Sequence, residues 1–275
     1  KDINIIDGSI VWLFNFIKLL QTFNNKLKIT VLCTKINKNI KLENIQFVEN
    51  IDNYNYDNIF YRITDKNINF DNFNKVTLII HFFDIKLIQY YKKFNHIIAQ
   101  SILIKDELIF NHIYSDIKVL PPLIKDINMD TKKTNKISFC YSGTIKKSYK
   151  TLEMLNIFKL LAELNNFHFY LIIAKHKEEN DKNYNIKLKL LINELKSTNN
   201  FTIYESISRK KILEILSLCH YGIIIHDENI DYKQQSTKLI EYLSVECKPI
   251  SYLTYLNCGY IDKDLYFHNM NDLQN

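Results

Sequence analysis

Lys238, Glu241 and Tyr242 stand at i, i+3 and i+4 in the segment QQSTKLIEYLSVECKPI, residues 234–250. If the segment is helical, that spacing puts all three on one face, where a purely packing helix would carry apolar residues. Leu239 and Leu243 form a second face four residues apart. One face is then committed to packing, and the other is free to hold something polar. Ser236 or Thr237 can cap the start, because a hydroxyl accepts from the orphan N–H groups of the first turn. Those N–H groups and the helix dipole also favour an anion. Glu241 lies roughly 6–7 Å inside the helix at 1.5 Å per residue, a depth at which a carboxylate reaches ribose hydroxyls when phosphates occupy the helix start.

In open α/β sheets, ligands sit beyond the carboxyl ends of the strands, so the residues following each expected strand carry the remaining chemistry. In the second half these are Gly143 and Thr144 with Lys146, Lys147 and Lys150, then Lys175, then His226, Asp227 and Glu228. In the first half they include His81 and Ser101. Gly143 is one of only four glycines, and without a Cβ it lets backbone approach a ligand closely. The lysines beside it can neutralise a diphosphate. Taken together, these residues suit a nucleoside diphosphate. Three other features read more plainly. Asp262-Lys263-Asp264 pairs two carboxylates as a divalent-metal site would, but reads as a turn. Arg209-Lys210-Lys211 reads as a solvated helix start, and Tyr90-Tyr91-Lys92-Lys93 as an exposed face that could also meet a membrane surface.

The elements that must position these residues alternate between strand and helix. In the first half we expect a buried helix over 9–21 opening after Gly8, strands at 28–34, 58–63 and 75–83, and a helix over 85–94. A strand at 96–101, a helix over 103–114 and a strand at 117–122 stopped by Pro121 and Pro122 complete it. In the second half we expect strands at 136–143, 167–174, 201–206, 221–226 and 249–253. Helices alternate with them over 151–164, 186–196, from Ser208 to Cys219, and through the opening segment. Strands alternating with helices of this length imply parallel sheets covered on both faces, and near-continuous apolar runs mark strands buried on both sides. The expected fold class is α/β, with two Rossmann-like domains facing a cleft: 1–123, a polar linker at 124–135, and 136–275. The closing NMNDLQN reads as the first turn of a further helix, so the chain reads as part of a longer protein.

Composition narrows the class. The 275 residues are 47% hydrophobic and 24% charged, with 18 Tyr and 17 Phe, enough apolar surface to form cores. Abundant Lys, Asn and Ile fit an A/T-rich genome. Five widely spaced cysteines, none in a CxxC pair, argue against a disulfide framework or zinc site and fit a reducing cytoplasm. A net charge of +6 suits a phosphate-bearing ligand or an anionic membrane surface. It lacks the dense basic stripe of a nucleic-acid binder, and the absence of GxGxxG argues against a dinucleotide dehydrogenase.

Gly143 with a trailing lysine, followed by STKLIEYLSVECKPI, resembles the nucleotide-sugar domain of GT-B glycosyltransferases, specifically the retaining glycosyltransferase family 4 type. In the first half DGSIVWLFNFIKLL is similar to that family's glycine-rich loop and first helix, IIHFFD to its strand ending in His, and HIIAQSILIKDEL to its strand and helix before the linker. The resemblance implies transfer of a sugar from a nucleotide-diphosphate sugar to an acceptor hydroxyl with retention, without a metal or other cofactor. It implies catalytic roles for His81, Lys150 and Glu241, with Glu241 on the ribose, Lys150 on the diphosphate and His81 on the transferred sugar. Gly8, Gly143, Thr144, His226, Thr237 and Lys238 would complete the donor site. Thr144 stands where the family has an arginine, and Lys233 where it has a second glutamate. The partners implied are a nucleotide sugar and a glycan, lipid-linked or protein acceptor, in the cytoplasm or peripherally at a membrane. A GT-B module that binds nucleotide or glycan without turnover, or a nucleotide-sugar epimerase of the same fold, are the alternatives.

Overall fold

The computed structural model describes residues 8–32, 45–48, 56–62, 70, 73–123, 132–164, 167–174, 180–225, 236–252, 261–270 and 272–274. The chain divides into two compact units, an N-terminal one up to Leu123 and a C-terminal one holding the described residues from 132 onward.

The N-terminal unit opens with α1 (Gly8–Phe23), β1 (Ile29–Leu32) and β2 (Ile45–Val48), and β1 and β2 pair in parallel. The β2 strand is an addition to the elements expected from sequence. Its four residues, IQFV, are broken by Gln46 and set between Glu43-Asn44 and Glu49-Asn50, a weaker apolar run than the expected strands. There follow β3 (Ile59–Arg62), β4 (Val76–Ile80), α2 (Ile88–Tyr91), β5 (His96–Ala99), α3 (Ile102–Phe110) and β6 (Asp116–Val119). The strands form a parallel sheet in the order β3-β4-β5-β6. Alternation along β4 fills both faces: Leu78 and Ile80 pack with Tyr91, Phe94, Ile104 and Leu108, while Ile79 packs with Trp12 and Phe16 of α1.

Two expectations are corrected here. The helix expected over 85–94 is shorter: a tight turn at Ile85–Leu87, started by Asp84, whose carboxylate accepts from Lys86 N at 3.0 Å, runs into the four residues of α2 and ends at Tyr91. Tyr90 and Tyr91 are core residues, and Asp84 N donates to the Tyr91 hydroxyl at 3.1 Å. The face read as exposed is therefore reduced to Lys92 and Lys93. Helix α3 begins at a cap by Ser101, which accepts from Ile104 N at 3.2 Å. It ends before 114 because His112 takes a left-handed backbone (φ 59°) and the Asn111 side chain donates to Glu107 O at 2.8 Å.

The C-terminal unit runs β7 (Ser138–Gly143), α4 (Thr151–Leu164), β8 (His168–Ile173), α5 (Lys182–Lys196), β9 (Phe201–Glu205), α6 (Arg209–Leu218), β10 (Tyr221–Ile224), α7 (Thr237–Ser244), β11 (Lys248–Tyr252) and β12 (Tyr266–Phe267). The two-residue β12 gave no sequence signal. Helix α5 starts four residues before the expected 186, because Asp181 caps it by accepting from Tyr184 N at 3.0 Å. All pairs are parallel, in the order β12-β11-β10-β7-β8-β9. One face buries Tyr141, Phe169, Leu171 and Ile223 against α4 and α5. The other buries Cys140, Ile172 and Ile224 with Leu216, Leu239 and Tyr242. Register is reinforced by an aromatic ladder on four neighbouring strands. Tyr221, Phe139, Phe169 and Phe201 are cross-strand partners, with ring centroids 5.2–5.3 Å apart and near-parallel planes. Each such contact contributes about 0.5–1.5 kcal/mol beyond area burial.

Cys140, Cys219 and Cys247 are buried free thiols, with Cys140 Sγ 3.7 Å from Cys247 Sγ. Burial, followed by hydrogen bonding to Cys219 and Cys247, pushes the Cys140 thiol well above its ordinary value. Cys33 and Cys258 lie outside the described residues.

Candidate functional site

The strand order of the C-terminal unit has one consequence for ligand position. After β7 the chain builds outward through β8 and β9, then returns to place β10 on the other side of β7. Neighbouring connections leave in opposite directions at β7 and β10, which opens a crevice beyond their carboxyl ends. Gly143 ends β7 there, and Lys238 lies in the first turn of the helix after β10.

Gly143 and Lys238 are matched in shape. A Cβ built on Gly143 would lie 2.7 Å from both Cε and Nζ of Lys238, and its φ of +155° is a conformation L side chains rarely adopt. The ammonium occupies that vacated space, over the rings of Tyr141 (5.2 Å) and Tyr149 (5.8 Å). Among the described residues it has no hydrogen-bond acceptor and no ion-pair partner. Desolvation lowers its pKa to about 8, an effect only partly opposed by the charge of Glu241.

The loop from Thr144 to Lys150 is tied down at both ends. The Tyr141 hydroxyl donates to Thr144 O at 2.7 Å. The buried Thr151 hydroxyl donates to Lys146 O at 2.9 Å and accepts from Lys146 N at 3.1 Å. Lys146 Nζ lies 5.6 Å from the Tyr149 ring, so Lys146 and Lys238 share one aromatic side chain. Lys147 turns outward to Asp181 at 2.7 Å. That bond, reinforced by Tyr184 N, holds the Asp181 carboxyl below its usual range. Lys150 has a left-handed backbone (φ 47°). Its N–H donates to Lys147 O at 2.9 Å and its carbonyl accepts from Met154 N at 3.0 Å, so it closes the turn and starts α4.

Glu241 is 5% exposed and pairs with Arg209, the first residue of α6. The expected solvated role of Arg209 is thereby corrected. Tyr242 is also not on a free polar face. It is fully buried, its hydroxyl donating to Ile223 O at 3.2 Å and accepting from Ser142 N at 3.4 Å. Its ring lies flush on Gly222, where a Cβ would meet ring carbons at 2.6 Å. The packing stripe of α7 is therefore Leu239 and Tyr242, continued by Val245 just past its end, while Leu243 is 38% exposed. Ser236 occupies the cap position without a side-chain cap bond, and Thr237 opens the helix.

The structure thus brings together Gly143, Thr144, Lys150, Thr237, Lys238 and Glu241 in one unit. His81, directly after β4, and Gly8, the first residue of α1, belong to the other. His226, together with Lys175, Asp227, Glu228 and Lys233, lies outside the described residues. Tyr141, Tyr149, Thr151 and Gly222 join the site residues of the C-terminal unit without having been expected, and Arg209 joins them in place of its expected solvated role. Only Gly222 carried a signal, as one of four glycines. Asp262, Lys263 and Asp264 are exposed around a single tight turn. Among the described residues no group of three or more His, Cys, Asp or Glu side chains could hold a metal ion, and no helix is long and apolar enough to cross a membrane.

No protein-family model matches the chain, and no curated protein matches its sequence. Solved structures do match in fold. A glycosyltransferase from Rickettsia africae is 13% identical, with a TM-score of 0.63 over 98% of this chain and 84% of that one. Anabaena HepE, in complex with UDP and glucose, is 11% identical with a TM-score of 0.52, covering 72% and 60%. A TarM variant from S. aureus, in complex with fondaparinux, α-GlcNAc-glycerol and UDP, is 15% identical with a TM-score of 0.51 over 72% of this chain. The chain spans 42% of the length of TarM. At these identities the likeness carries the fold: the chain has the GT-B architecture, with two Rossmann-like units on one polypeptide.

Proposed function

We propose that the protein is a glycosyltransferase of the family 4 type that moves a sugar from a nucleoside-diphosphate donor to an acceptor hydroxyl with retention. The observation that carries this reading is the Lys238 ammonium. It is half-buried at the strand crossover, pressed into the space left by Gly143, and without an acceptor among the described residues. A desolvated cation held without a counter-ion is costly unless something anionic completes it. Lys146 and the start of α7 face the same chemistry, and a diphosphate would be met by two ammoniums and a helix N-terminus. Several neighbours in fold are glycosyltransferases, and TarM and HepE were each solved with UDP, which favours a uridine donor.

In this reading the bond from the sugar's anomeric carbon to the diphosphate oxygen breaks as the acceptor oxygen bonds to the same face of that carbon. The acceptor's proton passes to the departing diphosphate. The protein's part is electrostatic: Lys238, Lys146 and Lys150 stabilise charge developing on the leaving group, and Glu241 accepts from the ribose. The family resemblance assigns His81 of the N-terminal unit a role toward the transferred sugar. No metal is required. The acceptor is a glycan, a lipid-linked glycan or a protein, met in the cytoplasm or at a membrane surface.

Calorimetric titration of UDP, GDP, ADP and CMP tests the donor site, with Lys238→Met and Glu241→Ala as controls. One diphosphate should bind in the micromolar range and each variant should lose about 1–3 kcal/mol, the cost of removing a charged hydrogen-bond partner. Release of nucleoside diphosphate from the matching nucleotide sugar with an acceptor then separates turnover from binding alone. If no nucleotide binds, the reading fails.

A further inference from the structure

The Glu241 carboxylate has two cations in its neighbourhood. Lys238 is three residues earlier on the same helix, a spacing at which side chains meet, and its titration feels the Glu241 charge. Arg209 comes from a different helix. The pairing is with Arg209, through Nη1 and Oε1, and among the described residues no ion pair joins Lys238 to Glu241. Both charges stay available only because the partners are sorted this way.

We infer that Arg209 is a positioning residue, holding Glu241 off Lys238 so that the ammonium is left for the diphosphate and the second carboxylate oxygen for the ribose. This rests on the donor-site reading above. Three features support it. Arg209 is fixed at its root as the first residue of α6, which Ser208 caps by accepting from Lys211 N at 3.3 Å. The left-handed Ser206 (φ 53°) sets the approach to that helix. The planar guanidinium fixes the carboxylate's rotation in a way a flexible ammonium does not. Glu241 Oε2 has no hydrogen-bond partner among the described residues, yet it is not among the polar atoms sealed from solvent without a partner. It is an acceptor still open to a ligand hydroxyl. An unaided Glu241, 5% exposed, would turn to the nearest remaining cation, because a buried carboxylate without a counter-charge is strongly unfavourable. That cation is Lys238, and the contact would cancel the charge the diphosphate needs.

Titration of UDP and of inorganic diphosphate against the wild type, Arg209→Gln, and Arg209→Gln combined with Glu241→Gln tests this. Arg209→Gln should weaken both ligands at least about tenfold, the loss of one charge-assisted hydrogen bond. The double variant should recover wild-type affinity for inorganic diphosphate, since Lys238 is released, while UDP stays weaker. Recovery also certifies that the double variant is folded. Unchanged UDP and diphosphate binding by Arg209→Gln overturns the inference. So does a loss that the second substitution does not rescue, because Arg209 would then be merely structural. If the wild type binds neither ligand, nor GDP nor ADP, the donor-site reading itself falls and the inference falls with it.

Discussion

The Lys238 ammonium sits where a side chain on residue 143 would be, 2.7 Å from the Cβ that Gly143 lacks. Gly143→Ala therefore tests two effects at once. Displacing the end of a flexible lysine is cheap, but a backbone at φ +155° is not, and such strain costs about 1–3 kcal/mol. We expect denaturant titration to show a loss in that range. At permissive temperature, diphosphate binding should fall further than stability does, because the ammonium has been expelled from its place. A variant that binds diphosphate as well as the wild type would separate Gly143 from the anion site.

Lys238 also predicts a pH signature. Its folded pKa, about 8, lies below the ordinary 10.4 or so of an exposed lysine, so the unfolded chain binds more protons between those values. Stability should rise with pH across that window, and the rise should vanish in Lys238→Met. At pH 7 that variant should be the more stable by about 1–2 kcal/mol, a figure discounted for the partial solvent access of the side chain. The ligand effect has the opposite sign. An anion holds the proton on Lys238, so UDP affinity should be level below pH 8 and decline above it. Flat stability and binding profiles between pH 7 and 10 would remove Lys238 from the site.

How much of this was legible in the sequence follows from the range of each interaction. Helix α4 was read over its observed span, Thr151–Leu164, because its amphipathic period and flanking turn are local. The short strands β2 and β12 fall outside the expected elements: β2 is a brief apolar run broken by Gln46 and set between Glu-Asn pairs, and β12 is two residues long. The spacing of Lys238 and Glu241 puts both on one helix, as observed, but their partners come from elsewhere. Arg209 lies 32 residues before Glu241, and the ring that covers Lys238 belongs to a strand across the crossover. The i, i+4 spacing puts Tyr242 on the face of Lys238, but its ring is fully buried on Gly222 of the neighbouring strand, a contact no local pattern carries.

Thr151 makes the loop's stiffness testable. Its hydroxyl bonds both the N–H and the carbonyl of Lys146, and its side chain is fully buried. Thr151→Val keeps the shape and removes both bonds, leaving two backbone groups without that partner. The expected cost is about 1–3 kcal/mol, measured by chemical denaturation. Diphosphate binding should weaken with it, as Lys146 loses its fixed geometry. A stability loss with unchanged binding would show that Lys146 is not part of the anion site.

Tyr242 separates packing from ligand contact. Tyr242→Phe keeps the ring on Gly222 but removes a hydroxyl that donates to Ile223 O and accepts from Ser142 N, for an expected loss of about 1–2 kcal/mol. Gly222→Ala puts a methyl group 2.6 Å from the ring carbons. The ring is fully buried, so this change should cost more, about 3 kcal/mol, the upper end of the usual overpacking range. Thermal melts of the two variants give the ranking. In Tyr242→Phe, UDP affinity should stay within about twofold of wild type, because an energy difference under about 0.4 kcal/mol is all that separates them when the lost contact is remote from the ligand. A tenfold loss of UDP affinity in Tyr242→Phe, with the protein still folded, would return the Tyr242 hydroxyl to the ligand-binding face and redraw the packing stripe of α7.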